Sequence, residues 1–227
     1  MHKRSLTCLA LVGLAFISIH STAKAAVIFS TYNNNDSGTA SPIHNTSGKG
    51  LAFNMPSPLQ PGDTTSYTLD SISLRLSGSI LSSQIVLSLY TNDGSNTPGT
   101  LISSFTPTSA FTLTSTAASY TFTTSSAVTL TAGTTYWVTM YSTSSNTSGL
   151  SWKTSSPQPS LYSTVGVSLF GTIFGTTTNP ANWTNTSSTV YNSLTVNATA
   201  VPEPGIAALS MLGILGLVGL RRLRSRA

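Results

Sequence analysis

Acid–base chemistry in this chain would have to come from very few side chains. Between residues 26 and 200 there is one histidine, His44, and four carboxylates, Asp36, Asp63, Asp70 and Asp93, with no glutamate and no cysteine. A serine triad needs an imidazole base oriented by a third group. The one imidazole sits in TASPIHNTSGKG, a Gly/Ser/Asn-rich stretch that reads as loop. Paired-carboxylate glycoside hydrolysis would draw on the four aspartates, which carry no supporting motif. No catalytic residue is therefore expected, and a secreted hydrolase ranks last among the functional classes. For metal, Asp93 with Asn92 and Asn96 offers the hard oxygens that Ca²⁺ accepts. The stretch lacks the spaced acidic residues of an EF-hand, and Asp93-Gly94 suits a plain turn. The expectation is no metal and no cofactor.

Binding chemistry is better represented. Trp137, Trp152, Trp183, Tyr90, Tyr141 and Tyr162 offer ring faces for sugars, and abundant Ser, Thr and Asn offer hydrogen bonds. In strands such aromatics commonly fill the core instead. Trp152, in a short apolar segment, is expected to be structural. Trp183, between Asn182 and Thr184, is expected in an exposed loop and is the candidate glycan contact. Sequons at Asn45, Asn146, Asn182, Asn185 and Asn197, among others, arise readily by chance in so Ser/Thr-rich a chain and do not by themselves argue glycosylation.

Charge excludes a nucleic-acid partner. The sequence pI of 9.6 describes the two ends of the chain. The body keeps only Lys49, Arg75 and Lys153 against its four aspartates, which leaves it one unit negative. A phosphate backbone requires several clustered cations.

Those ends read as targeting segments. His2, Lys3 and Arg4 precede a mostly apolar stretch from Leu6 to Ile19, and Ala23-Lys24-Ala25 forms an A-x-A site with cleavage before Ala26. Cys8 lies too early for lipoprotein attachment. At the other end Pro202 and Pro204 deny a helix continuity with the body. Ile206 to Leu220 is then apolar apart from Ser210, and Arg221, Arg222, Arg224 and Arg226 follow. At ~1.5 Å per residue the apolar run spans about 22 Å, short against the ~30 Å bilayer core. The arginines resist translocation, so they stay cytoplasmic and the body lies across the membrane.

Val201-Pro202-Glu203-Pro204, an apolar helix and an arginine-rich end resemble the PEP-CTERM sorting signal. That resemblance implies recognition by an exosortase-type membrane protease-transpeptidase. Residues 202–204 would then be recognition residues of a substrate, the inner membrane a transient station, and the cell surface or extracellular matrix the destination. Three units follow: a signal peptide at 1–25, a body at 26–200 and the sorting signal at 201–227.

The body, with no disulfide available, must fold on apolar burial. Short apolar alternations separated by Ser, Thr, Asn and Gly, with no helical period, predict an all-β antiparallel sandwich, jelly-roll-like, between an N-terminal signal helix and a C-terminal transmembrane helix. Strands are expected at 26–31, 51–54, 67–76, 84–91, 100–105, 119–124, 127–130, 134–142, 150–153, 165–170 and 189–198. A bulge is expected near Asp70 and Ser71, and tight turns at Asp93-Gly94, Pro98-Gly99 and Thr131-Ala132-Gly133. Tyr136, Val138 and Met140 are expected to face the core, with Trp137 on the opposite, more exposed face. The segments IVLSLYTNDGSNTPGTLISSF and YTFTTSSAVTLTAGTTYWVTM, with Ser151-Trp152, are similar to the extracellular domain named choice-of-anchor R. It implies a surface domain that is found with different sorting tails and carries no enzymatic activity. The resulting expectation is an exported, non-enzymatic surface or matrix protein. The alternative is a carbohydrate-binding module or adhesin acting on exopolysaccharide.

Overall fold

The computed structural model describes residues 24–32, 42–57, 66–154, 162–175, 183–185 and 191–201, and these are all-β. In chain order the strands are β1 (Ala26–Ser30), β2 (Pro42–Ile43), β3 (Gly48–Asn54), β4 (Ser66–Gly78), β5 (Ile85–Asn92), β6 (Pro98–Pro107) and β7 (Ala118–Thr124). They continue with β8 (Val128–Thr131), β9 (Thr135–Ser142), β10 (Leu150–Trp152), β11 (Tyr162–Ser163), β12 (Ser168–Gly175), β13 (Trp183–Asn185) and β14 (Leu194–Ala200). All pair antiparallel, in the order β11-β1-β14-β4-β7-β6-β5-β9-β3-β12-β13, while β2, β8 and β10 pair off this path.

Long β4 is the spine. Along one edge it pairs with β14 and then β10; along the other it passes from β8 to β7. The expected bulge is present: Leu69 faces Ala198 and Ser71 faces Asn197, so Asp70 has no cross-strand partner on β14. The extra residue resets the alternation. Leu69 before it, and Ile72, Leu74 and Leu76 after it, therefore all turn inward and are buried.

β1 and β3 lie far apart along the sheet, yet the Phe29 and Phe53 rings are 4.9 Å apart between centroids, and Phe53 lies 5.7 Å from Tyr136. The sheet must roll over on itself to bring these rings together. Its inner face encloses one large apolar cluster that includes Leu51, Leu87, Leu89, Val138, Met140 and Val196. The expected layers are thus two halves of one hydrogen-bonded sheet.

On β9 the expected core face is correct: Tyr136, Val138 and Met140 join the main cluster. The expected exposure of the opposite face is not. Trp137 is 0% exposed and Thr139 3%, so burial is near complete on both sides. The reason is position: β9 is central, flanked by β5 and β3, and a second apolar cluster of Ala52, Trp137 and Trp183, with half-buried Tyr90, covers its outer face.

The outer face of β1, β14, β4 and β7 is instead a ladder of hydroxyls. Ser30 and Thr195 oxygens are 2.8 Å apart, and those of Ser73 and Thr121 are 2.9 Å apart. This is the polar half of the period-two pattern read from the sequence. The first described strand starts at Ala26 and the last ends at Ala200, and Ala26 pairs with Ala198, so both ends of the body leave from adjacent strands.

Candidate functional site

Among the described residues, those singled out for acid–base or metal chemistry are occupied locally. His44 closes a tight turn through an isolated bridge to Ser47; its Nδ1 accepts the Thr46 N–H at 3.5 Å and lies 3.2 Å from the Thr46 hydroxyl. Asp70, at the bulge, accepts the Thr199 hydroxyl at 2.8 Å. Asp93 organises the β5–β6 turn. Its Oδ1 accepts the N–H groups of Ser95 at 2.7 Å and Thr97 at 3.0 Å, and its Oδ2 accepts the Thr97 hydroxyl at 2.6 Å. These bonds, the Thr97 hydroxyl foremost, hold the Asp93 carboxyl below its ordinary range. Gly94 and Asn96 supply the positive φ values, 87° and 64°, that let the chain reverse there. Asn92 is committed elsewhere: its Oδ1 accepts Trp137 Nε1–H at 2.9 Å. The oxygens weighed for Ca²⁺ therefore cap a turn and anchor an indole. Among the described residues no group of three or more His, Cys, Asp or Glu side chains is placed to hold a metal. Asp36 and Asp63 lie outside the described residues.

Trp183 differs from expectation. It lies on β13 and is 6% exposed. Cross-strand register explains how it is covered: Trp183 pairs with Gly175 on β12, and Gly175 pairs with Gly48 on β3. The indole reaches back across β12, and a Cβ built on Gly48 would meet its Cη2 at 2.8 Å. Only glycine leaves room for that approach. Trp183 Nε1 is buried without a hydrogen-bond partner, unlike Trp137 Nε1 on Asn92 and Trp152 Nε1, which donates to the Ser193 carbonyl at 2.9 Å. Of the six aromatics considered for stacking, all three tryptophans are buried, Tyr90 and Tyr141 are half-buried, and Tyr162 is exposed. No contiguous exposed strip forms among them, and Trp183 is withdrawn as a glycan contact.

Lys49 carries a feature that composition does not show. It alternates with Leu51 and Phe53 on β3, so its stem runs along the apolar face. Burial lowers its ammonium from the ordinary 10.5 to about 8. The folded state thus binds this proton less tightly than the unfolded chain. The resulting penalty is complete below pH 8 and relieved as the pH rises towards 10.5. Lys49→Met is expected to raise the denaturation midpoint at pH 7 and to flatten the rise in stability between pH 8 and 10, read by urea titration at several pH values. A variant less stable than the parent at pH 7 would contradict this. Arg75 is placed on the outer face of β4, where its guanidinium stacks 5.1 Å from the Tyr32 ring centre and donates from Nη2 to the Ala117 carbonyl at 3.0 Å. The body's cations therefore do not share one face.

Of the residues expected at the processing sites, Ala25 and Ala26 are exposed, with Ala26 opening β1. Val201 is 37% exposed just after β14, its N–H still bound to the Ser66 carbonyl at 3.1 Å. Ala23 lies outside the described residues, as do Pro202, Glu203, Pro204, the run Ile206 to Leu220, and Arg221, Arg222, Arg224 and Arg226. Among the described residues no helix is long and apolar enough to cross a membrane. No family model matches the chain, and no curated protein matches its sequence.

Proposed function

We propose that this is an exported, non-enzymatic surface or matrix protein. Its body is a jelly-roll-like sandwich, and it is delivered by an N-terminal signal helix and a C-terminal transmembrane sorting helix. In this reading an exosortase-type enzyme recognises Pro202-Glu203-Pro204, the inner membrane holds the chain transiently, and exopolysaccharide is the medium it enters.

The observation that carries the proposal is the ordered tail: a proline-bounded motif, a short apolar run and a block of arginines. Two features of the body support it. Strand β14 ends at Ala200, just before the motif, beside the strand that opens at Ala26, an arrangement that supports processing at both ends without disturbing the sheet. The described polar groups weighed for catalysis or metal, His44, Asp70, Asp93 and Asn92, take part in turns, a bulge and indole anchoring, which supports a scaffold role. The carbohydrate-binding alternative needed exposed stacking faces, and the tryptophans are buried.

Fractionating host cells and locating the chain with an antibody to the body tests the proposal. Recovery from the cell surface or medium, accessible to added protease in intact cells, is expected. Confinement to the cytoplasm would refute it.

A further inference from the structure

Three sequons have described acceptor side chains, and the fold treats them differently. Asn197, in Asn197-Ala198-Thr199, is half-buried in β14 between β1 and β4; its Nδ2 donates to Ser71 Oγ at 3.2 Å, and the Thr199 hydroxyl is committed to Asp70. Asn45, in Asn45-Thr46-Ser47, is exposed, but Ser47 is buried at 6% and bridged to His44. Asn146, in Asn146-Thr147-Ser148, sits in the loop between β9 and β10, where residues 145–148 are all exposed. Its Oδ1 accepts both the N–H of Ser148 at 3.0 Å and the Ser148 hydroxyl at 3.4 Å. Its Nδ2 makes a long 3.4 Å contact to Ser79 Oγ.

We propose that Asn146 is a site of N-linked glycosylation. A carboxamide nitrogen is a poor nucleophile, since its lone pair is delocalised into the carbonyl. Two donors on Oδ1 stabilise the negative charge that develops there as Nδ2 loses a proton. The co-substrate is a sugar activated by a diphosphate leaving group. The Nδ2–C bond forms at the anomeric carbon and the C–O bond to diphosphate breaks. The diphosphate leaves with the bonding pair, and the Nδ2 proton passes to a base of the transferring enzyme. Only in this sequon, of the three, does the hydroxyl two residues on reach the acceptor amide. The loop also lies outside the strands, so an enzyme can engage it without opening the sheet, and an attached glycan faces solvent.

This inference rests on export, because the chain must meet the glycosylating enzyme outside the cytoplasm. The test is peptide mapping by mass spectrometry of the mature protein from its host. A sugar mass increment is expected on the peptide holding Asn146, lost in Asn146→Gln and Ser148→Ala, kept in Ser148→Thr, and unchanged in Asn45→Gln and Asn197→Gln. An exported chain unmodified at Asn146, or carrying the increment only at Asn45 or Asn197, overturns this inference alone. An unmodified chain retained in the cytoplasm overturns both it and the export reading.

Discussion

Trp137→Ala is expected to destabilise the body by about 3 to 5 kcal/mol, the range for truncating a large buried aromatic. Trp137 is 0% exposed in β9, between β5 and β3, and its indole N–H is held by Asn92 at 2.9 Å. Truncation opens a cavity beneath Trp183 and leaves the Asn92 carbonyl without that donor. No disulfide exists to limit the damage, since the only cysteine is Cys8. Against a typical domain stability of about 5–15 kcal/mol this is a large fraction. Trp183→Phe is the informative contrast: its N–H has no acceptor to lose, so it should cost less than Trp137→Phe. Urea denaturation of the purified variants reads both. A loss below about 1 kcal/mol in Trp137→Ala would show that the outer cluster contributes no packing of its own.

How far this arrangement can be read from the sequence depends on strand length. Long alternating segments such as Tyr67 to Leu76 announce β4, and the break in their alternation announces the bulge at Asp70, because a single inserted residue must shift the period. Strands β2, β11 and β13 span two or three residues and hold no period to detect. Trp183 illustrates the cost. Asn182 and Thr184 beside it look like loop, yet one apolar residue between polar neighbours is also what a strand with a single covered side chain presents. The signal that would have corrected the expectation is Gly48-Lys49-Gly50. Glycine within a strand marks a place where something bulky approaches the backbone, and at Gly48 that is the Trp183 ring. Likewise TYWVTM is apolar or β-branched throughout, the composition of a strand covered on both faces, so the Tyr136–Val138–Met140 side was correctly assigned while burial of the Trp137 side was not foreseen. Asp93-Gly94 was legible as a turn, whereas pairing of Asn92 with Trp137 depends on tertiary register that no local pattern carries.

The second large effect concerns the tail. Replacing Glu203 and Pro204 together with alanine is expected to abolish processing and leave the full C-terminus in the inner membrane. The physical argument is that the apolar run from Ile206 to Leu220, at about 22 Å, is a short span. In the proposed reading the four arginines beyond it stop translocation. In the same reading such a segment presents the motif to a membrane enzyme, and the two prolines, which disfavour helix, are expected to leave the motif open to a protease site. Without the motif the apolar run is expected to persist as an anchor. Intact-mass analysis of the mature wild-type protein beside the Glu203→Ala/Pro204→Ala variant therefore bears most directly on the central claim. The account predicts a wild-type chain that begins at Ala26 and has lost Arg221 to Arg226, and a variant that keeps them. A mature wild-type protein that still carries those arginines would contradict it.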